Sequence, residues 1–172
     1  VCGLHLERDG LARQRLHEDL HGCGVHVVLR CDTYTRIKKK IIMFVGKLNR
    51  SKGYDLFGKA AIKILNEFKN WKVLVYGDEP REEILFHHER LLQNGYQSND
   101  KILKSFNISS IAVACSRWEE PFGRSSLEAS SRGCAVIVSN KGGLPETITD
   151  GIILKNLNVE TIKIPKFIFD IS

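Results

Sequence analysis

Between Ile41 and Ser139 the chain carries four short, almost unbroken apolar runs, Ile41–Val45, Lys72–Tyr76, Ile111–Cys115 and Cys134–Ser139, with more polar stretches between them. A run that is apolar at consecutive positions suits a strand buried on both faces, and a sheet buries its strands that way when helices cover each side. Strands alternating with helices require right-handed crossovers. The pattern therefore predicts an α/β fold with a doubly wound parallel sheet.

The intervening stretches supply the helices. After "SKGYD", Phe57, Ala61, Ile64, Leu65 and Phe68 recur at helical spacing and form one apolar face. "SNDKILKSFNISS" offers Ser98 or Asn99 as a cap, with Ile102, Leu103 and Phe106 as its buried stripe. "GRSSLEASSRG" predicts a short helix opened by a Pro-Phe-Gly turn and closed by Gly133. "DEPREEILFHHERLLQNG" reads as mostly helical with Gly95 as its stop, a short strand within "RLLQNGY" being the alternative.

Residues 1–36 have a different character. They hold no Lys, Ile or Asn, and their five Arg balance five acidic residues, so the formal charge of +6 lies wholly beyond them. A boundary near "YTRIKKK" is predicted between 1–36 and 37–172, either a linker between domains or a join with some other origin. Within the first part, "LARQRLHEDLHGCG" predicts a short helix and "VHVVL" a strand. The chain opens on Val and its only methionine is Met43. It is expected to begin inside a longer reading frame or after processing.

With 42% hydrophobic and 27% charged residues the composition is that of an ordinary soluble domain. No apolar run approaches the roughly 18 residues of a membrane span, and no signal-peptide pattern opens the chain, so the cytosol is the default location. The cysteine count of 5 is odd, and Cys115 and Cys134 lie in strand-like runs, which fits a reducing compartment. The basic balance suits an acidic partner, whether nucleic acid, anionic lipid or a phosphorylated small molecule, against the plain alternative of a solvated, solubilising surface. No aromatic residues interleave with a basic stripe, which argues against nucleic acid and leaves peripheral contact with a membrane surface open.

Neither a Gly-x-Gly-x-x-Gly fingerprint after a strand nor a Gly-x4-Gly-Lys-Ser/Thr phosphate loop occurs. What stands after the first strand is "FVGKLNRSKGYDL", where Gly46 allows a sharp turn and Lys47 and Lys52 flank the start of a helix. Two ammonium groups beside a helix N-terminus make an anion site, against the plain alternative of solvated loop lysines. Further along, "SRWEEPFGRSSLEASSRG" places Glu120 and Glu128 on either side of the Pro-Phe-Gly turn. A carboxylate accepts two hydroxyl hydrogen bonds at once, which suits a ribose diol or a sugar ring. The competing reading is that Glu120 caps the helix and Glu128 is an acid favoured by the dipole. His17, His21, Cys23 and Cys31 have a spacing compatible with zinc, but paired Cys-x-x-Cys elements are missing and no metal site is expected. His87 and His88 read as a surface pair.

Taken together, "FVGKLNRSKGYDLF", "VLVYGDEP" and "SRWEEPFGRSSLEASSRGCAVIVSNKGGLPETI" closely resemble the C-terminal, donor-binding half of the group 1 (family 4) glycosyltransferases, over roughly Ile41 to Glu160. The resemblance implies one half of a two-domain fold, with 1–36 the remnant of the preceding domain and linker and 37–172 the C-terminal, Rossmann-like domain that holds a nucleotide sugar. By motif position Lys47, where the family usually has Arg, and Lys52 hold the diphosphate. Glu120 contacts donor-sugar hydroxyls, making Glu120, Lys47 and Lys52 the catalytic set, and Glu128 accepts the ribose hydroxyls. Donor binding further involves Gly46 and backbone N–H groups around Phe122, Gly123, Ser126 and Leu127.

The activity so implied is transfer of a hexose from a nucleotide-diphosphate sugar to a glycan or lipid-linked acceptor, with retention and with no cofactor or metal. It belongs to lipopolysaccharide or other glycan assembly in the cytoplasm, at the inner face of the membrane where contact occurs. Lys at 47 keeps charge but not the bidentate fork of Arg. The usual Asn-Gly before the aspartate reads "RC" before Asp32, the acceptor-binding N-terminal domain is missing, and "KIPKFIFDIS" stops short of the family's closing helix. These 172 residues are thus expected to bind a donor and to show little transfer alone. The rival class is a non-catalytic nucleotide-sugar-binding module or a truncated, inactive gene product. A nucleotide-sugar epimerase is the further alternative, but its catalytic carboxylates and histidines are not found.

Overall fold

The computed structural model describes residues 25–28, 38–148 and 151–162. In chain order the elements are β1 (Val25–Val28), β2 (Lys39–Val45), α1 (Tyr54–Glu67), β3 (Lys72–Tyr76), β4 (Leu91–Gln93) and α2 (Asn99–Ile108). They continue with β5 (Ser109–Ala114), α3 (Arg124–Ser130), β6 (Ala135–Ser139), a 3-10 turn (Leu144–Thr147), β7 (Gly151–Leu154) and α4 (Val159–Ile162). The strands hydrogen-bond in the order β1-β7-β6-β5-β2-β3-β4. Every pairing is parallel except the antiparallel edge of β1 on β7.

Setting β1 aside, the parallel strands follow the order of the dinucleotide-binding fold, with a switch between β2 and β5. From β2 the chain winds outward through β3 and β4, then returns across to β5 and winds the other way. The expected Rossmann-like fold is what the chain adopts. The carboxyl ends of β2 and β5 therefore diverge into a crevice, where such folds bind ligands.

The apolar runs explain the two layers. Ile42, Phe44, Val73, Val75, Ile111 and Val113 face one side, where Phe57, Ala61, Ile64 and Leu65 of α1 and Ile162 of α4 cover them. Their neighbours Ile41, Met43, Tyr76, Ala112, Val136 and Val138 face the other, against Phe106 of α2 and Ala129 of α3. Alternate residues of each strand thus serve opposite layers. Each large side chain fully buried this way contributes about 1.5 to 3 kcal/mol relative to exposure. Ser98 is the N-cap of α2, and Gly133, at φ 72, follows α3, both in the places the pattern predicts.

The stretch from Asp78 to Gly95 departs from its expected helix. It runs as an irregular, largely extended loop that ends in β4, so the short strand offered as the alternative is the one that forms. The reason is a period of two: Ile84, Phe86, His88 and Arg90 are half-buried while Leu85, His87 and Glu89 are exposed. Phe86 settles into a notch on α1 at Gly58, with its ring 5.6 Å from that of Tyr54 in an edge-on contact. Arg90 then closes the end of α1, donating to the carbonyls of Leu65, Phe68 and Lys69 at 2.5, 2.9 and 2.7 Å. A continuous helix would turn half of these groups away from α1.

Candidate functional site

The crevice at the switch point is a cleft of about 460 Å³. Gly46 and Lys52 line it from the loop after β2, Ser116 and Glu120 from the loop after β5, and Arg124 and Glu128 from α3. Asn99, the first residue of α2, closes another side.

Two close approaches shape this wall. Gly53 lies at φ 73, and a Cβ there would stand 2.0 Å from the carbonyl oxygen of Cys115. The loop carrying Lys52 therefore passes directly over the end of β5. Gly142 does the same from the other side at φ 52, where a Cβ would stand 2.2 Å from the carbonyl oxygen of Glu120. The next amide, Gly143 N–H, donates to that carbonyl at 2.7 Å. The Gly-Gly pair of "NKGGLPE" is thus a backing for Glu120, since only residues without a Cβ permit the contact.

Lys52 and Glu120 meet across the cleft as an ion pair, Lys52 Nζ donating to Glu120 Oε1. Their side chains are 31% and 14% exposed, enough shelter to strengthen the attraction and enough opening to admit a ligand. The lysine's own amide donates to Asn49 Oδ1 at 2.9 Å, which fixes the turn that presents it. The preceding carboxylate, Glu119, accepts from Lys141 Nζ at 2.9 Å and from the Gly142 amide at 2.5 Å, and the lysine's hydrogen bond holds its carboxyl below the ordinary value.

Glu128 sits one turn into α3 with Oε1 3.7 Å from Arg124 Nε. The capping alternative does not hold for Glu120, because the N-cap of α3 is Gly123, which has no side chain, and the Glu120 carboxylate turns to Lys52. Phe122 and Gly123 line the cleft; Phe122 is 59% exposed there. Three expected residues stand elsewhere. Lys47 is exposed and outside the cleft wall, Ser126 is buried with its hydroxyl joined to Gly123 O and Thr147 Oγ1 at 2.6 Å each, and the Leu127 amide donates to Gly123 O at 3.2 Å. The amides of Arg124 and Ser125, which line the cleft, make no hydrogen bond among the described residues.

Cys115 forms part of the floor, and burial pushes its thiol up to about 12, so it stays neutral. His87 is exposed, but His88 is half-buried, its Nδ1 accepting from the Arg90 amide at 3.1 Å, so the two do not form a surface pair. The zinc-compatible spacing at His17, His21, Cys23 and Cys31 lies outside the described residues, as do the helix expected within 11–24 and the final segment from residue 163. Among the described residues no helix is long and apolar enough to cross a membrane. The sequence marks none of Arg124, Asn99 and Ser116 as a site residue, Asn99 entering only as a candidate helix cap; for Arg124 the signal is present, four residues ahead of Glu128 on one helix face.

The model of a known family, described as glycosyl transferases group 1, matches residues 33–163. The chain belongs to that family. This group 1 glycosyltransferase domain is 29% identical over 126 residues to the spore coat protein SA of Bacillus subtilis, covering 66% of the chain and 33% of that protein. It is 27% identical to the lipopolysaccharide 1,2-N-acetylglucosaminetransferase of Salmonella typhimurium, covering 65% of the chain and again 33% of the relative. The group 1 chain thus spans about a third of the length of these curated relatives.

Among solved structures, the C-terminal domain of the group 1 glycosyl transferase LpcC from Francisella tularensis superposes with a TM-score of 0.59 at 24% identity, covering 74% of this chain and 73% of that one. Anabaena HepE in complex with UDP-glucose superposes with a TM-score of 0.61 at 17% identity, covering 77% and 38%. Both likenesses establish the fold of the group 1 domain.

Proposed function

We propose that this domain binds the nucleotide-diphosphate sugar of a retaining group 1 glycosyltransferase that moves a hexose to a glycan or lipid-linked acceptor. The observation that carries the reading is the Lys52–Glu120 pair in the switch-point cleft, which Glu128 and Arg124 also line. Such a site offers cations to an anion and carboxylates to hydroxyls, the two halves of a nucleotide sugar. The donor of that chemical class held by HepE, a protein of the same fold, supports it further.

In this reading Lys52 and Arg124 face the diphosphate, with Lys47 adding charge at the rim. Glu120 takes the sugar hydroxyls and Glu128 the ribose. When the sugar–phosphate bond breaks, the departing diphosphate gains negative charge while the anomeric carbon becomes electron-poor. Lys52, held in the cleft by Glu120, turns its charge to that anion as Glu120 takes the sugar, and the reading invokes no metal or cofactor. The acceptor and its binding groups belong to a second domain, so we assign these 172 residues donor binding with little transfer of their own. The setting proposed is cytoplasmic, in lipopolysaccharide or other glycan assembly.

Calorimetric titration with uridine and guanosine diphosphates tests the reading. One of them should bind, and Lys52→Ala and Glu128→Ala should each weaken it by about tenfold, in line with about 1 to 3 kcal/mol for a lost charged contact. Binding that both variants leave untouched would reduce the motif to scaffolding.

A further inference from the structure

Lys52 and Glu120 stand on different loops, one after β2 and one after β5, so their pairing depends on how those loops are held together. The loops are held by a guanidinium. Arg117 places its fork on Asp55, in the first turn of α1, with Nη1 to Oδ1 at 2.6 Å and Nη2 to Oδ2 at 2.8 Å. The same Nη1 donates to the carbonyl of Arg50 at 2.5 Å. Between these two anchors the Ser51 carbonyl accepts the Arg117 amide at 2.8 Å, the Trp118 amide at 3.2 Å and the Ser116 hydroxyl at 3.2 Å. Residues 50, 51 and 55 thus bracket Lys52, and residues 116–118 lead directly into Glu120.

The clasp has an electrostatic consequence as well. Asp55 follows Lys52 by three positions at the start of α1, where an unpaired carboxylate would repel an arriving diphosphate. The guanidinium neutralises it with the bidentate geometry that a lysine cannot supply.

We propose that Arg117 and Asp55 are positioning residues of the donor site, their ion pair locking the β5–α3 loop to the start of α1 so that Lys52 and Glu120 face one ligand. The proposal rests on the donor-binding reading above. Neither residue lines the cleft, so each acts through Lys52 and Glu120.

The chain's two tryptophans allow a test with an internal control, Trp71 being buried at 2% exposure and Trp118, next to Arg117, standing 62% exposed. In protein carrying 5-fluorotryptophan, Arg117→Gln should shift and narrow the Trp118 fluorine resonance while that of Trp71 stays in place, which certifies the fold. Calorimetry with uridine and guanosine diphosphates should show Arg117→Gln and Asp55→Asn each weakening affinity about tenfold, the double variant being no weaker than either single one. Arg117→Lys should recover part of the affinity. An unmoved Trp118 resonance together with affinity within about twofold of wild type in Arg117→Gln, or losses that simply add in the double variant, overturns the proposal. Wild-type protein that binds neither nucleotide sinks the donor reading alone, and the Trp118 resonance then still decides whether the clasp exists.

Discussion

Gly142 stands against the backbone of Glu120: a methyl group on the glycine would lie 2.2 Å from the Glu120 carbonyl oxygen and 2.5 Å from its amide nitrogen. The left-handed conformation at φ 52 adds its own restriction. Gly142→Ala should therefore cost about 2 to 4 kcal/mol, combining roughly 1 kcal/mol of backbone strain with displacement of the Glu120 segment. Urea unfolding measures the first effect. The second appears as nucleoside diphosphate affinity lost even at temperatures where the variant stays folded.

Gly53 and Gly95 share a left-handed backbone, at φ 73 and 62, but differ in what surrounds them. A Cβ on Gly53 meets the carbonyl of Cys115 at 2.0 Å, whereas one on Gly95 meets nothing within 4 Å. Gly95→Ala should cost only the strain, about 1 kcal/mol, and Gly53→Ala several times that. Equal unfolding midpoints for the two would show that loop strain, and not the close crossing of the β2 and β5 ends, sets the requirement for glycine.

For the pair in the cleft, the largest loss should come from removing one partner. Lys52→Met leaves the mostly covered Glu120 carboxylate without its counter-ion and should destabilise by about 1 to 2 kcal/mol, moderated because the lysine end is 31% exposed. Adding Glu120→Gln should restore most of that stability while leaving donor affinity low. Such a split between stability and binding marks a charge pair kept for a ligand.

The strands were legible because each apolar run is buried on both faces, so the residues of β2, β3, β5 and β6 announce themselves without a partner. β7, with only four residues beginning at Gly151, gave too short a run to read. Glu120 and Glu128 were legible as a pair, while Gly142 explained itself only once its neighbour 22 residues earlier was known. The Arg117–Asp55 clasp joins positions 62 apart, and no local spacing signals it. The loop before β4 was misread because its acids and leucines look helical, although Ile84 and Phe86 already carry a period of two.

That loop supplies another test. Gly58 is buried in α1, and a Cβ there would meet the Phe86 ring at 2.1 Å. Gly58→Ala gains helix propensity of about 1 kcal/mol but expels Phe86 from its notch. The variant should keep its core and lose protection of residues 79–89, seen as faster cleavage there in limited proteolysis. Phe86→Ala should open the same loop, and unchanged cleavage in both would show that its polar ties secure it, Arg90 to the end of α1 and Glu79 and Glu82 to Asn49 and Arg50.

Acid should release the Arg117–Asp55 clasp. The hydrogen bonds from Arg117 lower the Asp55 pKa beneath its ordinary value of 3.8, so the folded state holds the carboxylate charged at a pH where the unfolded chain has begun to bind a proton. The stabilisation is therefore fully present above about pH 4 and is lost as the pH falls through the depressed folded-state value. For a partly exposed pair it amounts to about 1 kcal/mol. Asp55→Asn should thus lower the urea midpoint at pH 7 and converge with wild type as the pH falls below the ordinary carboxylate range, and raised salt should shrink the gap at neutral pH. A constant difference between the two proteins across that range would mean that Asp55 acts by packing and not by its charge.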